Sequence, residues 1–368
     1  MSIIEDLPDL PSGYHDTSDN SDEVCIEDAN GGFVCDIMTA PDAKGLPVTK
    51  KNAACQALEL TNCVTIGKAM LVNTDCLAWM RERPPCSVHA VVTDPPYGLR
   101  EFNELEKAKL RSGRGGVWRI PPEFDGCKRM PLPRFTTLTA KEQLAMKEFF
   151  AEWARLVLRV LVPGGHAFIA GNPLVSHLVY MPMLEAGFEK RGEIIRLVQT
   201  LRGGDRPKNA HEEFPDVTVM PRSAWEPWGL FRKPCEGLVQ ENLRKWKTGG
   251  LRRESKDRPF TDVIQCSPTR AAEREISNHP SLKPQNFMRQ VVRAALPLGE
   301  GIILDPFMGG GSTIAASEFN GYKSIGLELD PSYFELATKA VPRLSLYSAG
   351  RNTKARATET WPRGRDVG

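Results

Sequence analysis

Two short stretches combine residue types and spacings that suit chemistry on a nucleoside-like ligand. The first is Asp94-Pro95-Pro96-Tyr97, directly after the apolar run Val88 to Thr93. An exocyclic amine on adenine or cytosine is a poor nucleophile, because its lone pair is delocalised into the ring. The Asp94 carboxylate can accept one of its hydrogens and the Pro95 carbonyl the other, which draws the nitrogen toward a tetrahedral form. Pro95 and Pro96 fix φ and hold that carbonyl outward. Tyr97 offers a face on which a base can stack, an interaction of about 1–3 kcal/mol. Such chemistry needs no metal ion and no covalent intermediate, and alignment with an electrophile supplies much of the acceleration. The plainer alternative is a stiff strand-to-helix turn with a buried tyrosine.

The second stretch runs from Ile302 to Thr313: an apolar strand ending in Asp305, then Phe307, Gly309, Gly310, Gly311 and Thr313. Glycines allow close approach of backbone to a ligand, and a helix start offers unpaired N–H groups. A Rossmann unit then places a carboxylate about 20 residues further on. Glu328, closing Lys323 to Leu327, stands at that position and suits two ribose hydroxyls. Asp305 on the strand end suits an ammonium group, and the G-K-[ST] of a triphosphate site is absent. S-adenosylmethionine carries an ammonium, a sulfonium and a ribose, and no phosphate. Tight packing of helix on sheet is the alternative reading of the glycines.

These stretches need a frame that brings them together. Apolar runs predict strands at Cys63 to Ile66, Ala69 to Val72, Val88 to Thr93, His166 to Ala170, Glu193 to Val198, Gly301 to Leu304 and Lys323 to Leu327. Helical spacing is read over 141–161, 173–186, 287–296, 313–319 and 331–341, with Pro163-Gly164-Gly165 as a stop after the first. Alternating strands and helices predict an α/β fold, a mostly parallel sheet with helices on both faces. Ligands of such sheets bind at the carboxyl ends of the strands.

Composition narrows the partners. Residues 1–43 hold eleven Asp or Glu and no Lys or Arg, so the remainder has 48 Lys or Arg against 35 Asp or Glu. A basic body suits a polyanion such as nucleic acid. No apolar run reaches the roughly 18 residues of a membrane span, and no secretion signal is read at the N-terminus, so a cytoplasmic protein with free thiols at its nine cysteines is expected. His211, Glu213 and Pro234-Cys235 form part of a zinc-deaminase signature, but Leu238 stands where the second cysteine belongs; no metal site is expected.

Taken together, the motifs resemble those of the DNA amino-methyltransferases, the N6-adenine and N4-cytosine enzymes of restriction–modification systems. Asp94 to Tyr97 matches their catalytic tetrapeptide, and Asp305-Pro306-Phe307-Met308-Gly309-Gly310-Gly311 their cofactor motif, with Gly310 where serine is common. His279-Pro280-Ser281-Leu282-Lys283-Pro284 resembles the segment that walls the methionine end of the cofactor. Gly326 to Asp330 with Tyr333-Phe334 resembles the ribose segment, and Asn73-Thr74-Asp75-Cys76 the acidic turn that reaches the cofactor adenine. The catalytic motif precedes the cofactor motif, which resembles the circularly permuted beta subgroup. The resemblance implies a Rossmann-like S-adenosylmethionine-dependent fold, catalytic Asp94, Pro95, Pro96 and Tyr97, and a cofactor site of Asp75, Lys283, Asp305, Phe307, Gly309, Gly311, Thr313 and Glu328. Asp at 94 favours adenine N6 over cytosine N4. No nuclease signature is present, so a separate cognate restriction endonuclease is an expected partner, and a monomer or homodimer is expected in a bacterial or phage setting.

Enzymes that modify a base take it out of the stack, which requires a grip on the double-stranded DNA. The expected organisation is an acidic, disordered extension over 1–50, a first catalytic part over 51–200, a target-recognition region over 201–275, a second catalytic part over 276–345 and a tail over 346–368. The region 201–275 is rich in Arg, Lys, Trp, Gly and Pro. Its candidate DNA contacts are Arg202, Arg206, Lys208, Arg244, Lys245, Lys247, Arg252 and Arg253, most of them to phosphates. Methylation of RNA or of a protein amide, and a catalytically inactive DNA-binding protein, are the competing readings.

Overall fold

The computed structural model describes residues 62–96, 138–198, 207, 209–221 and 223–348, and the backbone of 48–50, 123–124 and 127–128. The expected acidic extension, Tyr97, Arg202, Arg206, Lys208 and the expected tail beyond 348 lie outside the described residues.

In chain order the strands are β1 (Val48–Lys50), β2 (Cys63–Ile66), β3 (Ala69–Asn73), β4 (Val88–Thr93), β5 (Glu123–Phe124), β6 (Cys127–Lys128), β7 (Leu161–Ala170), β8 (Glu189–Leu197), β9 (Trp225–Arg232), β10 (Val263–Gln265), β11 (Ile302–Asp305) and β12 (Lys323–Glu328). The helices are α1 (Cys76–Glu82), α2 (Ala140–Val160), α3 (His177–Glu185), α4 (Val239–Trp246), α5 (Ala271–Ile276), α6 (Gln285–Ala295), α7 (Ser312–Phe319) and α8 (Pro331–Leu346).

Ten strands form one sheet in the order β1-β2-β3-β12-β11-β4-β7-β9-β8-β10. The run β3-β12-β11-β4-β7 is parallel throughout. Most residues of these strands are buried, because helices cover both faces. On one face Phe150, Trp153 and Val157 of α2 pack over β4 and β7. On the other, Phe287, Val291 and Val292 of α6 pack with Ala90, Val92 and Ile303. Local signals agree with this packing. Thr139 and Glu142 close a reciprocal capping box on α2, and Asp330 caps α8 just before Pro331 at its first turn.

Strands β4 and β11 are neighbours, yet their crossovers leave in opposite directions. From β4 the chain passes through α2 to β7; from β11 it passes through α7 to β12. This is a topological switch point, where open α/β sheets form their ligand crevice beyond the carboxyl ends of the strands.

The region 201–275 is divided by the sheet. Strand β9 lies inside it, antiparallel to both β7 and β8, and β10 extends it beyond β8. The middle of that region is therefore core, with Trp228 and Phe231 fully buried. Strand β7 also starts earlier than read, at Leu161, so Pro163 to Gly165 sit within strand rather than in a loop. Helix α3 starts later, at His177. Cys63 is disulfide-bonded, which corrects the expectation that all nine thiols are free; Cys76, Cys86, Cys235 and Cys266 are free. Among the described residues no helix is long and apolar enough to cross a membrane.

Candidate active site

The two motifs meet at the switch point. Thr93, the last residue of β4, donates its hydroxyl hydrogen to Asp305 Oδ1 over 2.7 Å. Asp305 is the last residue of β11 and is 2% exposed. The Phe307 N–H, at 3.1 Å, bonds the same oxygen, and the Thr313 hydroxyl in the first turn of α7 also bonds this carboxylate. Burial pushes the Asp305 carboxyl up to about 7, despite the opposing pull of those three donors. Among the described residues no Lys or Arg pairs with this carboxylate.

The glycine turn follows. Gly309 and Gly311 have φ of +50° and +82°, conformations that L side chains rarely adopt. A Cβ on Gly309 would lie 2.8 Å from the His279 ring, and one on Gly311 would lie 2.5 Å from Val341. The turn therefore packs tightly on both sides as well as exposing backbone. The Gly309 N–H donates to Glu328 Oε2 at 2.8 Å, and the Asp330 N–H to Glu328 Oε1 at 2.9 Å. These two bonds orient the carboxylate at the end of β12; further lone pairs remain for hydroxyl donors. Burial raises the Glu328 carboxyl above its ordinary range. Phe307 is half-buried, with its ring 5.8 Å from that of Trp153 and 6.3 Å from that of Phe149. Asp75 lies at the carboxyl end of β3, next to Thr74, whose N–H bonds the Glu328 carbonyl at 2.9 Å. Its Oδ1 caps α1 through the Ala78 N–H at 2.8 Å.

Asp94 follows Thr93 at the mouth of the crevice, half-buried, with Pro95 buried and Pro96 exposed. Lys283 Nζ lies 3.0 Å from Asp94 Oδ2 and 3.1 Å from Glu226 Oε1. Burial pulls the Lys283 ammonium down, but the two carboxylates outweigh it and hold it above its ordinary value. Glu226 also bonds Arg196 at 3.0 Å and the Trp228 indole N–H at 2.9 Å. Burial works against its ionisation, yet Lys283 and Arg196 hold it down at about 2. Lys283 thus faces the catalytic motif directly, while its backbone N–H bonds Ser312 Oγ at 3.1 Å, at the start of α7.

Sequence reasoning missed Glu226, Arg196 and Trp228. All three lie on β8 or β9, and β9 is hidden by its composition. The structure brings Asp94, Lys283, Asp305, Thr313, Phe307, Gly309 and Glu328 to one edge of the sheet. It does not bring Arg244, Lys245, Lys247, Arg252 or Arg253 there. Helix α4 is tied to the amino end of β7, where Asn242 and Thr248 bond the Pro163 carbonyl at 3.0 and 2.6 Å. Lys245 pairs with Glu236 at 2.7 Å, and Lys247 bonds the Arg244 carbonyl at 3.1 Å. Arg252 bonds the Tyr322 hydroxyl at 2.7 Å, just ahead of β12, and the Arg253 carbonyl accepts from Arg293 at 2.6 Å. Among the described residues there is no cluster of three His, Cys, Asp or Glu placed to hold a metal.

The chain is similar to known proteins. The chain is similar to the type II methyltransferase M2.DpnII of Streptococcus pneumoniae, 24% identical across 74% of this chain and 89% of that one. It is also similar to the type II methyltransferase M.HindIII of Haemophilus influenzae, 22% identical across 73% of this chain and 93% of that one. Among solved structures, that of the M1.HpyAVI–SAM complex superposes with a TM-score of 0.47 at 18% identity, covering 74% of this chain and 98% of that chain. A family model described as DNA methylase, of the N6/N4 methyltransferase type, matches residues 88–339. That match runs from the strand just before Asp94 past Glu328, and the chain belongs to this DNA methylase family.

Proposed function

We propose that the protein transfers a methyl group from S-adenosylmethionine to the N6 amine of adenine in double-stranded DNA. The observation that carries this reading is the 2.7 Å bond from Thr93 to Asp305, which joins the catalytic and cofactor motifs in one crevice. The residues present fit the cofactor. Asp305 is a buried carboxylate in want of a cation, which the methionine ammonium provides. Glu328 is an oriented acceptor at the end of β12, which suits ribose hydroxyls. Among the described residues Ser277 Oγ and Gln285 Oε1, buried beside the glycine turn, have no hydrogen-bond partner, so the site has polar capacity to spare.

When bound, S-adenosylmethionine supplies an electrophilic methyl on a sulfonium. The chain's own residues prepare the nucleophile. Asp94 accepts one hydrogen of the extruded base's amine and the Pro95 carbonyl the other, so electron density gathers on the nitrogen. Tyr97 stacks on the base and holds it in line. Asp305 and Thr93 tie the floor of this site to the cofactor strand, so nucleophile and methyl donor keep a fixed separation. DNA lies across the carboxyl edge of the sheet, where the chain leaves β8 after Leu197 and returns into β9 at Trp225. Arg202, Arg206 and Lys208 fall in that excursion and contact phosphates.

The test is to incubate the protein with S-adenosylmethionine and unmethylated genomic DNA, digest to nucleosides and weigh them. N6-methyladenine is the expected product. N4-methylcytosine would overturn the base assignment and keep the chemistry. No methylated nucleoside from a protein that binds the cofactor would overturn the reading and bring RNA or protein substrates forward.

A further inference from the structure

Four alternating charges run inward from the catalytic motif: Asp94, Lys283, Glu226 and Arg196. The links are 3.0 Å, 3.1 Å and 3.0 Å long. The Arg196 side chain is 7% exposed and the Lys283 side chain 15%. Arg196 is further fixed by the Ser267 carbonyl at 3.3 Å and sits over the Phe287 ring. Trp228 adds a neutral donor to Glu226. A row of this kind is a costly thing to bury for stability alone, since well-packed apolar residues do as well.

We infer that Glu226 is a positioning residue for methyl transfer, holding the Lys283 ammonium between two carboxylates so that its charge is shared between them and does not fall on Asp94 alone. The inference rests on the proposed amine methylation. The target nitrogen gains positive charge as its new bond forms, and the carboxylate that receives its hydrogen is Asp94. An ammonium paired with Asp94 alone would compete for that carboxylate and repel the developing charge. Glu226 takes a share of the ammonium's charge, and Arg196 balances Glu226. Without Glu226 the remaining three groups carry one excess positive charge beside the reacting atom.

Among the described residues, the charged and titratable groups that face Lys283 are Asp94 just after β4, Glu226 from β9 and Arg196 from β8, with His279 on its own segment. Loss of one of the two carboxylates that support the ammonium therefore makes its proton easier to remove. This gives a readout independent of catalysis.

The test compares wild type with Glu226→Gln. In the absence of cofactor and DNA, labelling of Lys283 by acetic anhydride across a pH series is followed by peptide mass spectrometry. Labelling in the variant is expected to set in at least one pH unit lower. In steady state, kcat for methylation is expected to fall about 10- to 100-fold, the range of outer partners that orient a reacting side chain. KM for DNA should stay within about threefold, and the alkaline limb of kcat should move down with the labelling curve. Glu226→Asp, which keeps the charge, should restore most of both. If Glu226→Gln does not fold, the double variant Glu226→Gln with Arg196→Met removes the outer pair together. The same signs are expected there, with a smaller labelling shift. An unchanged labelling curve, or unchanged kcat, in the folded variant overturns the inference. A wild type that methylates no DNA amine but shows the labelling shift overturns the underlying reading of the reaction and leaves the placement of Lys283 standing.

Discussion

The two edges of the sheet use their charges differently. At the carboxyl edge, charges are largely buried and partnered across elements distant in sequence: Asp94 with Lys283, Lys283 with Glu226, and Asp305 with the neutral hydroxyl of Thr93. At the amino edge, the charges of α4 and of residues 252–253 are exposed or tied to nearby backbone and side chains. Surface pairs of that second kind contribute about 0–1 kcal/mol. Charged residues occur at both edges. What separates them is the direction of the strands, because only the carboxyl ends open into the switch-point crevice.

The sharpest break of that contrast is at the catalytic motif. Asp94→Ala is expected to lower kcat by about 10³-fold or more, the scale of losing a positioned proton acceptor with its electrostatic contribution. Cofactor affinity, measured by calorimetry, should change by no more than a few-fold. Near-normal turnover in this variant would end the account of amine activation.

The ribose acceptor comes next. Glu328→Ala removes a carboxylate that two backbone N–H groups hold in place. Charge-assisted bonds contribute about 1.5–3 kcal/mol, so the cofactor dissociation constant should rise about 10- to 100-fold. Glu328→Gln, which keeps one acceptor, should lose less. Equal affinity in Glu328→Ala and wild type would remove this residue from the site.

How much of this was legible beforehand depended on what each element buries. Strand β11 with its glycine turn and α7 reads clearly, because a doubly covered parallel strand must be continuously apolar and its turn demands glycine. Strand β9 does not. Its sequence Trp225-Glu226-Pro227-Trp228-Gly229 places a proline opposite Ile195 of β8 in the sheet interior, where a missing N–H normally argues against a strand. With β9 unread, Glu226 had no location, and neither its pairing with Lys283 nor the Arg196 behind it could follow. Thr93 shows the reverse case. It was visible as the end of a strand, but its bond to Asp305 depends on β4 and β11 being neighbours, which spacing along the chain does not state.

A third and smaller effect tests the state of Asp305. Burial raises its carboxyl to about 7. The ionised form is the partner for an ammonium, so cofactor affinity should rise with pH, about tenfold per unit below 7, and level off above it. The sign follows from the raised value: below 7 binding must first remove a proton from Asp305, and above 7 it need not. Asp305→Asn should flatten the profile and weaken binding at pH 8. A wild-type profile that is flat between pH 5.5 and 8 would mean that Asp305 does not meet the ammonium.

The smallest expected effect sharpens the comparison of the edges themselves. DNA binding by a protein that neutralises Z phosphates falls with salt with a log–log slope of about −0.9Z. Replacing Arg202, Arg206 and Lys208 by Gln should flatten that slope by up to about 2.7, since the chain there leaves and re-enters the sheet at the carboxyl edge. Replacing Arg244, Lys245 and Lys247 by Gln should change it by less than about 1. Lys245 is spent on Glu236 and Lys247 on the Arg244 carbonyl, and α4 sits at the far ends of the strands. Salt titrations of both triple variants on one duplex decide the matter. Equal flattening by the two sets would mean that the duplex bends far enough to touch both edges. The carboxyl edge would then hold the chemistry alone, and the grip would belong to the whole basic surface.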